Sequence, residues 1–165
     1  ADILYSTDKI NKQQRVLFFN KILEYFNNNV EGKTFALWGL AFKPRTNDMR
    51  EAPSIEIINN LLQRGAKVRA FDPKAMEEAQ KIFGNSIYYA KNNYDTLEGA
   101  DALILVTEWN EFRRPDFEKI KSKLKYKVLF DGRNQYEPQR MKERGFDYIC
   151  IGKSNVTSSS ETFVN

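Results

Sequence analysis

Short apolar runs alternate with helical segments along most of this sequence, and no other feature constrains the fold as strongly. Six runs have the length and composition of strands: residues 35–38, 68–71, 87–90, 102–106, 128–130 and 148–151. Segments with apolar residues at helical spacing separate them: residues 53–64, 75–83, 115–124 and 138–144, with a short helical turn at 94–97. Parallel neighbouring strands need such crossovers, which are nearly always right-handed. The alternation therefore predicts an α/β fold with a doubly wound, mostly parallel six-stranded sheet.

A long helical segment precedes the first strand. Residues 8–28 carry apolar side chains at helical spacing, and at 1.5 Å per residue such a helix is about 30 Å long. The chain has 165 residues and 41% hydrophobic content, which is enough for one core. We expect a connector helix over residues 1–30, one domain over 31–152 and a flexible tail over 153–165, which has little apolar content to pack.

The charge pattern argues against a nucleic-acid partner, and the lengths of the apolar stretches argue against a membrane span. The net charge is +4, but the 26 basic residues are largely interleaved with 22 acidic ones. The most basic run, residues 119–127, is typical of a solvated helix face that leads into a strand. No apolar stretch approaches the roughly 20 residues that span a bilayer, and the first residues lack a signal-peptide pattern. We therefore expect a cytoplasmic protein.

Histidine and cysteine usage excludes several kinds of site. The chain has no histidine and one cysteine, Cys150, so a His-ligated metal, a multi-cysteine zinc site and an internal disulfide are excluded. Cys150 lies in an apolar run that reads as the last strand, where burial would raise the pKa of its thiol. We expect Cys150 to be an inert core residue, and we expect no metal.

The loop after the first strand is a candidate anion site. A lone glycine, Gly39, is followed by the cations Lys43, Arg45 and Arg50, and lysine and arginine both bind phosphate. A dinucleotide-binding turn would instead show Gly-x-Gly-x-x-Gly, so the pattern is Rossmann-like in fold but lacks the cofactor fingerprint. The alternative is that these cations pair with acidic neighbours such as Asp48 on a wet surface.

A second glycine and cation follow the fifth strand, in Asp131-Gly132-Arg133-Asn134. In the usual strand order the first and fourth strands flank the ligand crevice and the fifth lies beside the fourth, so Arg133 could share a crevice with Lys43. The alternative for Arg133 is a surface salt bridge. Asp72, at the end of the second strand, is expected to cap a helix or a turn, with ribose binding as the less favoured role.

Four motifs stand in a fixed order along the chain: Gly39-Leu40-Ala41-Phe42-Lys43-Pro44, Phe71-Asp72-Pro73, Thr107-Glu108-Trp109-Asn110-Glu111-Phe112 and Asp131-Gly132-Arg133-Asn134. In their order and spacing, and over roughly residues 9–152, the chain resembles the C-terminal, UDP-binding domain of the UDP-glucose/GDP-mannose dehydrogenase family. Asn47 and Ala52 replace an aspartate and a serine that are common in the family's first loop, and these are mild departures.

The resemblance implies a NAD-dependent, two-step oxidation of a sugar C6 alcohol to a carboxylate through a cysteine-bound intermediate. In this family an N-terminal domain binds NAD, a central helical region bears the cysteine and supports a homodimer, and the C-terminal domain binds the UDP part of the UDP-sugar substrate. By the family pattern, Phe42, Lys43 and Arg133 would bind the substrate. Arg50 would reach across the cleft toward NAD.

Two parts of the family pattern have no counterpart in this sequence. No segment resembles the glycine-rich NAD loop or the Gly-Gly-Ser-Cys context of the catalytic cysteine, and Cys150 matches neither. We therefore expect this chain to supply the substrate-binding part of the enzyme, with NAD and the nucleophile held by its remaining domains. Three alternatives stay open: another nucleotide-sugar substrate (UDP-N-acetylmannosamine or GDP-mannose), a stand-alone nucleotide or nucleic-acid binder, and a purely structural dimerisation piece.

Overall fold

The centre of the fold is a single mixed sheet. In the computed structural model, which describes residues 2–152, 155–158 and 162–163, its strands are β1 Thr34–Trp38, β2 Lys67–Phe71, β3 Tyr88–Tyr89, β4 Ala102–Leu105, β5 Val128–Asp131, β6 Asp147–Cys150, β7 Asn155–Val156 and β8 Thr162–Phe163. Their order across the sheet is β3-β2-β1-β4-β5-β6-β7-β8. The first six are parallel, which confirms the doubly wound prediction, and β7 and β8 add two antiparallel edge strands that were not predicted.

Five α-helices pack on this sheet: α1 Asp2–Tyr25, α2 Pro53–Gln63, α3 Met76–Phe83, α4 Phe117–Lys123 and α5 Pro138–Glu143. The predicted helices are confirmed to within two residues at most boundaries. Pro53 and Pro138 stand in the first turns of α2 and α5, where a missing N–H costs nothing. The largest difference is at α1, which begins at Asp2 instead of residue 8. Residues 2–7 contain no glycine or proline that would stop it.

Alternate strand residues feed two separate cores. In β1, Phe35 and Leu37 face the core that α1, α2 and α3 cover, while Ala36 and Trp38 face the core that α4 and α5 cover. All four are fully buried. Burying a side chain as large as Phe35 or Leu37 contributes about 1.5–3 kcal/mol relative to leaving it exposed. Burial on both faces explains why these strands read as continuous apolar runs.

The second half of α1 belongs to the first core and is not only a connector. Phe18, Ile22 and Leu23 are buried in it, and Tyr25 donates a hydrogen bond of 2.6 Å to Asp147 on β6. Leu17, next to Phe18 in the sequence, is instead 60% exposed. The apolar stripe of α1 is thus only partly covered by this chain.

Part of the predicted flexible tail is ordered in the sheet. Val156 pairs with Tyr148 of β6 and is buried, and the Asn155 side chain accepts a 3.3 Å hydrogen bond from the backbone N–H of Cys150. The prediction of an unpacked tail is therefore wrong for β7, because one apolar side chain and one matched amide suffice to extend the sheet edge. Residues 153–154, 159–161 and 164–165 lie outside the described part of the chain.

Within the described residues, none of the helices is both long enough and apolar enough to cross a membrane.

Candidate functional site

A glycine fixes the start of the loop that connects β1 to α2, hereafter the β1 loop (residues 39–52). Gly39 has a φ of +97°, and a Cβ at this position would lie 2.5 Å from Cβ of Thr107. No other residue type meets both conditions without moving the backbone. Gly39 thereby lets the β1 loop cross closely over the segment that follows β4.

A buried carboxylate holds the first residues of the β1 loop. Asp72, at the end of β2, accepts hydrogen bonds through Oδ2 from the backbone N–H groups of Leu40 (2.7 Å) and Ala41 (2.9 Å). The indole Nε1 of Trp109 donates to the same oxygen at 3.2 Å. Asp72 is 1% exposed, so these bonds replace water entirely. The loop is therefore positioned by a residue from the neighbouring strand.

The other oxygen of Asp72 settles its role. Oδ1 accepts from the backbone N–H groups of Lys74 and Ala75, each at 2.9 Å, and so caps the turn into α3. The predicted capping role is confirmed. With both oxygens engaged and buried, Asp72 is not placed to bind a ribose. The bonds from Oδ2 to Leu40 and Ala41 occupy backbone amides that a dinucleotide pyrophosphate would need. The β1 loop therefore does not fit NAD.

Two hydroxyl groups complete the fixation of the β1 loop. Thr107 donates through Oγ1 to the carbonyl of Ala41, and Ser54 donates through Oγ to the carbonyl of Leu40, both at 2.7 Å. Both hydroxyl residues are buried. The backbone just before Phe42 is thus held on its N–H and its C=O side.

A second buried carboxylate organises the loop that connects β5 to α5, hereafter the β5 loop (residues 132–137). Asp131 is fully buried and accepts from the backbone N–H groups of Arg133 (2.8 Å), Gln135 (2.7 Å) and Tyr136 (3.2 Å). The hydroxyl of Tyr148 also donates to it. Burial, followed by the charge of Asp131, raises the pKa of Tyr148 well above its usual value of 10. Asp131 thereby sets the direction in which Arg133 leaves the sheet.

The two loops meet at a cavity of about 220 Å³ beside the carboxyl ends of β1, β4 and β5. Phe42, Lys43 and Arg133 all line this cavity, which is closed on one side by helix α1; we call it the α1 cavity. Sequence reasoning predicted that Lys43 and Arg133 could share a crevice, and the structure brings them together with Phe42. The whole lining is Gln14, Arg15, Phe18, Phe42, Lys43, Pro53, Ile57, Val106, Gly132, Arg133 and Ile151.

Helix α1 contributes three lining residues that the sequence did not predict. Gln14, Arg15 and Phe18 come from α1, which was read as a connector. Phe18 is buried, and its ring lies where a Cβ on Gly132 would come within 3.2 Å of it. Their helical spacing is shared with residues that only pack, so no local signal marked them. The contribution of α1 becomes visible only once the helix is docked on the sheet.

The charges in the α1 cavity are unevenly paired. Arg133 forms an ion pair with Glu108 through Nε and Nη2, and the two side chains are 44% and 33% exposed. The surface salt bridge considered for Arg133 is therefore present, although Arg133 also lines the cavity. Lys43 takes part in no ion pair among the described residues, and its Nζ lies 5.8 Å from the centre of the Phe42 ring. Lys43 is available to an anion without breaking another contact.

Arg50 lies apart from this cavity. Its side chain is 89% exposed and forms a two-pronged ion pair with Asp48, with an Nη2–Oδ2 distance of 2.9 Å. Hydrogen bonds from Arg50 lower the pKa of Asp48 to about 2. The sequence alternative of pairing with an acidic neighbour is realised here. Arg50 borders a separate depression with Met49, Ile55 and Ile82.

Cys150 has the environment that its sequence context predicts. It is fully buried in β6, on the side of the second core. No cluster of three or more potential metal-ligating side chains occurs in the part of the chain that the structure describes. The groups that the described lining of the α1 cavity offers to a ligand are cations and aromatic surface.

A parallel doubly wound sheet with a cationic, aromatic-rimmed cavity at its carboxyl ends defines the α/β class whose ligands bind at a topological switch point. Within this class, residues 36–138 match the family model described as "UDP-glucose/GDP-mannose dehydrogenase family, UDP binding domain". The chain belongs to this family.

Known proteins agree with this assignment. The chain is 44% identical to a UDP-glucose 6-dehydrogenase of Pseudomonas aeruginosa over 158 residues, which cover 93% of this chain and 35% of that protein. It is 40% identical to the UDP-glucose 6-dehydrogenase TuaD of Bacillus subtilis, covering 88% and 32%. The solved UDP-glucose dehydrogenase from Pyrobaculum islandicum superposes with a TM-score of 0.67 at 28% identity, covering 87% of this chain and 30% of that one. The chain thus spans about a third of the length of these relatives.

Proposed function

We propose that this chain is the UDP-sugar-binding part of a UDP-glucose 6-dehydrogenase, which oxidises the C6 alcohol of UDP-glucose to the carboxylate with two NAD+. The observation that carries the proposal is the meeting of Phe42, Lys43 and Arg133 in one cavity at the carboxyl ends of β1 and β5. The family's UDP binding domain and the names of the relatives support UDP-glucose over other nucleotide sugars.

In this proposal Lys43 and Arg133 bind the diphosphate. Lysine supplies a mobile point charge, and the planar guanidinium of arginine bonds two phosphate oxygens. Phe42 is 39% exposed at the cavity rim, where its ring offers apolar surface to the sugar or the base. The cavity of about 220 Å³ is smaller than the roughly 300–1,000 Å³ of complete small-molecule sites. The remaining surface of the substrate is then contacted by other domains of the enzyme.

The chemistry itself is assigned outside this chain. The sister domain would hold NAD, which would supply the hydride acceptor for the sugar carbon. The β1 loop does not fit its pyrophosphate, because Asp72 occupies the amides of Leu40 and Ala41. We propose that Arg50, which is exposed and paired with Asp48 in this chain, contacts the cofactor held by that domain. Cys150 takes no part, since it is fully buried on the far side of the sheet.

The same proposal includes an assembly and a cellular setting. The exposed Val16 and Leu17 on α1 give the complete enzyme an apolar surface for its other domains and for a homodimer. The enzyme then works in the cytoplasm and supplies a sugar acid for polysaccharide biosynthesis.

Calorimetric titration of this chain with UDP-glucose tests the site. Lys43→Ala and Arg133→Ala should each remove a charge-assisted contact of about 1.5–3 kcal/mol, which weakens binding about 10- to 150-fold. Arg50→Ala is the matched control: it also removes an exposed arginine, but one outside the α1 cavity, and it should leave the affinity unchanged.

Two results would contradict the proposal. Unchanged UDP-glucose affinity in both cavity variants would remove the α1 cavity from the site. Binding of single-stranded RNA with a steep salt dependence, together with no response to UDP-glucose, would instead favour the nucleic-acid alternative. Titration with GDP-mannose in parallel distinguishes the base that the domain prefers.

A further inference from the structure

A second cavity, of about 510 Å³, lies beside the carboxyl ends of β4 and β5. It shares no lining residue with the α1 cavity. Phe117 and Tyr136 in its wall pack against the core on the α4 and α5 side, whereas the α1 cavity lies against the core on the other face of the sheet. The proposed UDP-sugar site therefore does not account for it.

Arginine dominates the lining of this second cavity, which we call the arginine cavity. Its described lining residues are Arg113, Arg114, Pro115, Phe117, Gln135, Tyr136, Glu137, Arg140 and Arg144. Four of these nine are arginines and one is acidic. The chain's net charge is only +4, so this concentration of positive charge is local.

None of the four guanidinium groups has a carboxylate partner among the described residues. The arginines that do form ion pairs with described carboxylates, Arg15, Arg50, Arg69 and Arg133, lie elsewhere in the chain. In the arginine cavity, Cζ of Arg144 lies 4.2 Å from the centre of the Phe117 ring and its Nη1 donates to Sδ of Met141 at 3.6 Å, and neither partner carries a negative charge. Such a group of unpaired cations favours an anion in their midst.

A buried amide adds hydrogen-bonding capacity at the same place. The side-chain Oε1 and Nε2 of Gln135 are buried without a hydrogen-bond partner among the described residues. The backbone N–H of Gln135 is fixed by Asp131, which holds the residue in the wall of the cavity. An amide can both donate and accept, so Gln135 can bond an oxygen or a hydroxyl of a ligand.

We propose that the arginine cavity binds a small molecule that carries two or more phosphoryl groups, independently of the UDP-sugar site. Guanidinium forks pair with phosphate oxygens in two-pronged fashion, and four of them match a diphosphate better than a single phosphate. The volume of about 510 Å³ lies within the roughly 300–1,000 Å³ of small-molecule sites. An elongated nucleic acid would call for an open basic stripe instead.

Calorimetry with inorganic pyrophosphate tests this site. The chain carrying Lys43→Ala and Arg133→Ala serves as background, because these changes suppress binding in the α1 cavity. Pyrophosphate should still bind to this background with one site per chain. Adding Arg114→Gln and Arg140→Gln should weaken that binding at least about tenfold, through the loss of two charge-assisted contacts.

Two further variants separate a built site from a general effect of charge. Lys67→Gln with Lys91→Gln removes the same charge from exposed positions outside the cavity and should change the affinity less than about twofold. Gln135→Leu should weaken pyrophosphate binding severalfold while the thermal midpoint is kept, because no intramolecular hydrogen bond is lost from its side chain.

Three results would overturn the proposal: no pyrophosphate binding in the background chain, equal weakening by the two lysine changes, or binding of hexaglutamate but not of pyrophosphate. The last result would indicate an acidic protein segment as the occupant. UDP-glucose binding to the unmodified chain is measured separately, so failure of this proposal and failure of the UDP-sugar site are distinguishable.

Discussion

The two loops that meet at the α1 cavity are each held by a buried aspartate, but the aspartates come from different places. Asp131 is the last residue of β5 and binds the amides of the β5 loop that directly follows it. The β1 loop is held by Asp72, which lies 31 to 32 residues away from the amides it binds. The β5 loop is thus fixed by a neighbour in sequence, whereas the β1 loop depends on the pairing of β1 with β2.

This difference separates the two cations of the site. Arg133 sits on a loop whose geometry is set within five residues of Asp131, and it is already paired with Glu108. Lys43 sits on a loop that is correct only when β2, Thr107 and Ser54 are in place. We infer that a substitution that disturbs the sheet displaces Lys43 more than Arg133.

The largest expected effect comes from removing one of the two aspartates. In both native aspartates, each carboxylate oxygen accepts a hydrogen bond from an N–H or O–H donor. In Asp72→Asn or Asp131→Asn, either orientation of the new amide therefore turns its NH₂ toward a donor. Each change should lower the free energy of unfolding by about 3 kcal/mol. Urea unfolding measures this loss.

Amide hydrogen exchange then tests whether the two aspartates act independently. Asp72→Asn should expose the amides of Leu40 and Ala41 while leaving that of Arg133 protected, and Asp131→Asn should do the reverse. If each variant opened both loops equally, the distinction between a local and a long-range clamp would be lost.

Gly39 offers a smaller perturbation that is specific to the β1 loop. Gly39→Ala adds a Cβ 2.6 Å from the backbone nitrogen of Thr107 at a φ of +97°, and we expect a loss of about 2–3 kcal/mol. Gly32→Ala is the matched control, because its φ is also positive (+75°) but nothing lies within 4 Å. That change should cost about 1 kcal/mol. Equal losses in thermal or urea unfolding would mean that the close approach to Thr107 is unimportant.

Glu108→Gln should change UDP binding through Arg133 of the β5 loop and not through Lys43 of the β1 loop. Glu108 holds Arg133 through two hydrogen bonds and places a negative charge beside the proposed diphosphate. Neutralising this partly exposed charge should strengthen UDP binding by about 1 kcal/mol or less, up to about fivefold. Glu111→Gln, a nearby exposed carboxylate outside the cavity lining, is the control. Weaker binding in Glu108→Gln would show that Arg133 needs this partner more than it competes with it.

The two loops should also differ in their response to pH. Burial and then Asp131 raise the pKa of Tyr136 and Tyr148 above 10, so their stabilising effect is complete below pH 10 and is lost as the pH rises further. The β1 loop has no tyrosine, but Asp48 has a pKa lowered to about 2 by Arg50. Its contribution is present above about pH 4 and is lost as the pH falls through about 2. Tyrosine absorbance and amide NMR signals, followed over pH, test this difference. Alkaline loss of amide protection in residues 40–50 before residues 133–136 would contradict it.

Much of the β5 side of the site could be predicted from the sequence. Asp131, Gly132 and Arg133 stand together, and a glycine and a cation after a buried strand are a local signal. The six parallel strands and the helices between them could likewise be read from apolar periodicity. These features depend on neighbours in sequence.

The parts that could not be predicted depend on residues far apart in the chain. The bond from Asp72 to Leu40 spans 32 residues, and the wall that α1 contributes through Gln14, Arg15 and Phe18 appears only after docking. Strand β7 was missed because Asn155 and Val156 gain partners only at the edge of a completed sheet. The arginine cavity combines two arginine pairs that lie on either side of β5 in the sequence.

A two-dimensional NMR titration of the ¹⁵N-labelled chain with UDP tests the central claim most directly. The account predicts that the largest shift changes fall on the backbone amides of Phe42, Lys43, Gly132 and Arg133, which line the α1 cavity. The backbone amide signals of Arg50 and Cys150 should not shift. Shifts concentrated around Arg113 and Arg140, or none at all at millimolar UDP, would contradict it.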